Sequence, residues 1–84
     1  MNKIYPMLTI LEYIDADDGK ILRPSLHDEL ESRDATIDRK HFGSVDWNSV
    51  YNFAKDRIEV INEIKDYVEM TELGRDVFDR KLHS

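Results

Sequence analysis

Asn48, Ser49, Asn52 and Lys55 fall on one side of a predicted helix, and all four are types that bond base edges or phosphates. A carboxamide pairs bidentately with adenine, a hydroxyl serves several edges, and an ammonium neutralises phosphate. Arg39 and Lys40 precede that helix and Lys65 follows it, so these three are candidate phosphate contacts. The plainer explanation of each residue is a solvated polar side chain. Other sets are weaker. His27 and Glu31, at i, i+4 on one helix, supply two metal ligands, too few for a closed site. Asp15-Ala16-Asp17-Asp18-Gly19 has the acid density of a calcium loop, but its glycine comes one residue early and Leu26 stands where a bidentate glutamate belongs. His41 and His83 are isolated, and no nucleophile elbow or phosphate-cradling glycine loop occurs. Neither catalysis nor a metal or cofactor is expected.

The elements that must position these residues belong to one short domain, residues 1–84. No cysteine is present, which excludes disulfides and thiolate metal sites. With no signal-peptide pattern and no apolar run near the roughly 20 residues of a membrane span, a cytoplasmic chain outside the membrane is expected. The net charge is −6 and unevenly spread. Residues 1–32 carry three bases against seven acids, residues 58–84 four against seven, and residues 33–57 five against four. Only the middle stretch, which includes the polar helix, does not repel a polyanion.

Apolar spacing at Ile4, Met7, Leu8, Leu11 and Ile14 predicts a helix over residues 3–15, capped by Asn2. Asp15 to Lys20 is a turn, and Ile21-Leu22 a short strand. A second helix follows, with Ser25 as cap and Leu26 and Leu30 facing inward. Residues 33–44 fit either one helical turn or a loop. The third helix, residues 46–56, turns Trp47, Val50, Phe53 and Ala54 inward. Two β-branched and aromatic runs within residues 57–71, with a turn inside 62–66, predict an antiparallel hairpin. Thr71 then caps a helix over residues 72–82 that buries Leu73, Val77, Phe78 and Leu82.

The order helix, strand, helix, helix, hairpin, helix resembles the winged helix-turn-helix plan. The run Val68-Glu69-Met70-Thr71-Glu72-Leu73-Gly74-Arg75 is similar to the hairpin-to-helix junction of small bacterial and prophage winged-helix regulators. Val50 to Val60 resembles their recognition helix running into the wing. The resemblance implies an α+β fold: a three-helix core, a two- to three-stranded antiparallel wing and a C-terminal helix. It also implies a transcription-regulator-type homodimer that binds double-stranded DNA, with helix 46–56 in the major groove. Two departures stand out. Asp56-Arg57 occupies the helix end where the family usually has glycine. The wing tip, Asn62-Glu63-Ile64-Lys65-Asp66, holds two acids and one base where the family's is usually basic. The alternative expectation is therefore an acidic protein-interaction module without DNA binding, for example a phage protein docking on a host protein. Its candidate anchors are Tyr51 and Tyr67, since tyrosine is enriched at interface hot spots.

Overall fold

The spacing of Met7, Leu11 and Ile14 does build one buried stripe, and Ile10 widens it. The computed structural model describes residues 3–33 and 45–82. Helix α1 runs Ile4–Ala16. Its end is turned by two left-handed residues, Asp18 and Gly19, with the Gly19 N–H donating to the Ile14 carbonyl at 2.9 Å. Strand β1, Lys20–Leu22, leads directly into helix α2, Arg23–Arg33. That helix begins two residues ahead of Ser25, so Ser25 lies in its first turn rather than capping it. Leu26 and Leu30 are fully buried, as their spacing requires. The expectations for residues 34–44, including Arg39, Lys40 and His41, lie outside the described residues.

Helix α3, Trp47–Asn52, is capped by Asp46, whose carboxylate accepts the Ser49 N–H at 3.3 Å. It continues as a wider π-helical turn over Phe53–Arg57, closed by the Ile58 N–H on the Phe53 carbonyl at 3.0 Å. Strands β2, Ile61–Ile64, and β3, Tyr67–Met70, form the hairpin, and helix α4 spans Glu72–Leu82. The hairpin loop is Lys65-Asp66, with Lys65 at φ 57°, a place where glycine is usual. The sheet is antiparallel with order β1-β3-β2. Among the described residues this is an α+β arrangement of four helices and one three-stranded sheet, compatible with a winged-helix plan. No helix among them is long and apolar enough to cross a membrane.

Helix α1 is the centre of the packing and touches α2, α3, α4, β1 and β3. The core joins its stripe to Leu26 and Leu30, to Trp47, Val50 and Ala54, to Ile21, Ile61 and Val68, and to Phe78. Leu73 was expected inside but is 48% exposed, because α4 turns Gly74, not Leu73, against the neighbouring chain.

The α3–β2 junction explains the missing glycine. Glu59 takes the left-handed conformation at φ 62°, so the reversal occurs two residues past Arg57. Thr71 then stitches this junction to α4. Its hydroxyl donates to the Glu59 carbonyl at 2.7 Å and accepts the Gly74 N–H at 3.0 Å, and its own N–H donates to the Val60 carbonyl at 3.0 Å. A Cβ on Gly74 would lie 2.0 Å from that Val60 oxygen and 2.8 Å from the Met70 side chain. Gly74→Ala is therefore expected to destabilise by about 1–3 kcal/mol or more in chemical denaturation, the usual scale of overpacking, at the upper end because the neighbour is backbone. Glu59→Gly is expected to stabilise by about 0.5–1 kcal/mol, because glycine removes the left-handed penalty of an L side chain.

Candidate nucleic-acid interface

The exposed side of α3 follows from its buried side. Trp47, Val50 and Ala54 hold the helix to the core, which turns Asn48 and Asn52 to solvent one helical turn apart. Neither side-chain amide is bonded among the described residues. Ser49 is less available, since its hydroxyl donates to its own capping residue, Asp46, at 2.9 Å. That bond and the Ser49 N–H hold the Asp46 carboxyl below its usual range.

Lys55 is also engaged. Its ammonium lies 3.3 Å from Glu63 on β2. The other Glu63 oxygen accepts the Tyr51 hydroxyl at 2.5 Å and the Arg23 guanidinium at 3.4 Å. Three donors, from α2 and from both parts of the third helix, thus converge on one hairpin carboxylate. His27 extends the cluster, its ring 5.0 Å from that of Tyr51. The sequence expectation for Tyr51 was a surface anchor, and the structure corrects it. Tyr51 is 4% exposed, because its ring packs beside His27 of α2 while its hydroxyl satisfies Glu63 of the hairpin. Tyr67 remains at the surface, and Lys65 is exposed at the hairpin tip.

No known protein family, curated protein or solved structure matches this chain.

Sequence reasoning placed Glu63 on a solvated wing tip and missed Arg23 altogether. The missing signal was the strand alternation: in β2, Ile61 and Glu63 share the face that packs toward the helices, while Asn62 and Ile64 share the other. A carboxylate on an inward register position needs donors. The same register shows a second feature. Leu22, Tyr67 and Ile64 form one rung across all three strands on the outward face, 42%, 39% and 46% exposed. Lys20 lies on that face, its ammonium 4.7 Å from the centre of the Tyr67 ring. His27 and Glu31 line a shallow cleft with Asp46, Trp47 and Asn48, but the described residues hold no group of three or more metal-ligating side chains.

Burial first, and then the bond to Glu63, push the Tyr51 phenol far above its ordinary value of 10.0. The same bond, aided by Lys55 and Arg23, holds the Glu63 carboxyl below its usual range. The signs give opposite pH limits. The raised phenol contributes stability that is complete below pH of about 10 and declines above it, while the lowered carboxyl contributes stability that is present above pH of about 4.3 and declines below it. The stability advantage of wild type over Glu63→Gln is expected to shrink as pH falls through about 4, read from denaturant midpoints. The ultraviolet phenolate signal of wild type minus Tyr51→Phe is expected to stay flat up to about pH 11 while the protein remains folded.

Proposed function

We propose that this chain is a winged-helix protein of transcription-regulator type that binds duplex DNA through α3 and works as a homodimer. The observation that carries the reading is the pair Asn48 and Asn52. Both amides are exposed and unbonded among the described residues, on a helix whose opposite side is fixed to the core. Their chemistry suits adenine edges in a major groove. The hairpin is tied to the same helix through Glu63 and offers Lys65 at its tip.

The net charge of −6 constrains how such binding works. Phosphate contacts are few, so non-specific affinity is low and falls only gently with salt. Discrimination then rests on base edges, and two copies on paired half-sites supply the remaining affinity. Against the best duplex selected from a random pool, Asn52→Ala is expected to cost about 1–3 kcal/mol. It should also relax preference at one base position and leave the salt slope unchanged. An unaltered sequence preference would remove Asn52 as a reader.

A separate observation favours self-association without DNA. The Leu22–Tyr67–Ile64 rung is apolar and exposed, and Lys20 and Glu69 face each other beside it. A two-fold axis in the interface, parallel to the strands and between β1 and β3, would bring Lys20 of each copy over Glu69 of the other, which suits a second copy of this chain. Sedimentation is expected to show a dimer that Tyr67→Ala shifts to monomer. A wild-type chain that stays monomeric at high micromolar concentration would exclude this face as the contact.

A further inference from the structure

We propose that Arg23, Lys55 and Tyr51 form a seat for a DNA backbone phosphate, and that Glu63 occupies this seat until a phosphate displaces it. The inference rests on the DNA-binding reading and deepens it. The three donors are of the kinds that hold phosphodiester oxygens: a guanidinium, an ammonium and a phenolic hydroxyl. They use both oxygens of one carboxylate, at 3.4, 3.3 and 2.5 Å. Two cations face a single anion, so a phosphate replacing the carboxylate meets the same charge and the same donors.

The seat is reachable. The Arg23, Lys55 and Glu63 side chains are 43%, 28% and 26% exposed and form its open side, while Tyr51, 4% exposed, is its floor. It also lies in the right place, since Lys55 is on the third helix just past the exposed Asn52, and Glu63 is on the adjoining hairpin. Displacement is feasible because partly exposed ion pairs contribute little, and Glu63 stands on an edge strand with its side chain 26% exposed. Tyr51 needs no change of charge, as its phenol stays protonated across the ordinary pH range. The consequence is a built-in brake: the chain withholds two of its few cations from indiscriminate polyanions.

The test is fluorescence anisotropy with a random-sequence duplex over a salt series, using wild type, Glu63→Gln and Glu63→Gln with Lys55→Gln. Freeing one phosphate contact is expected to tighten binding about eightfold at about 0.1 M salt and to steepen the log-log salt slope by about 0.9. The double variant should lose most of that gain. A folded Glu63→Gln protein with wild-type affinity and slope would overturn the brake and leave the DNA reading standing, with Glu63 then only a staple between helix and wing. Folded proteins of which none binds at low salt would overturn the DNA reading itself, and this inference with it. If Glu63→Gln does not fold, Glu63→Asp serves instead. One methylene shorter, it retreats from Lys55 and Arg23 and should give a smaller gain of the same sign; no gain overturns the proposal.

Discussion

The fold hangs on one close approach, that of the first turn of α4 to the Val60 carbonyl. Only a residue without a side chain fits there, since a Cβ on Gly74 would collide with that oxygen. Thr71 makes the approach productive by bonding the Glu59 carbonyl, the Val60 carbonyl and the Gly74 N–H together. The chain leaving the third helix is thereby fixed against the chain leaving the hairpin. The angle between α3 and the hairpin follows, and with it the surface that both present.

The second constraint is electrostatic. Acidic residues outnumber basic ones by 18 to 12, so each cation on the side formed by α3 and the hairpin weighs heavily. Lys55 and Arg23 are both turned onto Glu63, and Ser49 is turned onto Asp46. What remains open on α3 is uncharged: two carboxamides that form hydrogen bonds without attracting phosphates at a distance. A surface of this kind favours contacts that depend on a matching pattern over contacts that depend on charge alone.

The outward sheet face follows a different logic. Its polar rung, Lys20, Glu69 and Asn62, is an ordinary solvated one, whereas the next rung toward the hairpin loop is apolar except for the Tyr67 hydroxyl. Three exposed apolar side chains in register form a patch rather than scattered exceptions. Lys20 shields part of it by lying over the Tyr67 ring.

Local rules alone located most of the elements. Heptad-like spacing gave α1, alternation and turn chemistry gave the hairpin, and Thr71 with Gly74 marked the start of α4, because caps, turns and periodicity act over a few residues. The same rules identified Asn48 and Asn52 as outward, since a helix with one apolar stripe has only one other side to show. They failed where partners come from distant chain. Tyr51 and Glu63 lie 12 residues apart and Arg23 and Glu63 lie 40 apart, so no local pattern announces that they meet. The left-handed turn at Glu59 was equally hidden, because tertiary bonds from Thr71 hold a residue there that would not choose that conformation alone. For the described residues the sequence by itself thus determined which segments are helix or strand and, Leu73 apart, which side of each is apolar. Only the tertiary structure decided which polar groups are left free, because that depends on which charges the packing brings within bonding distance.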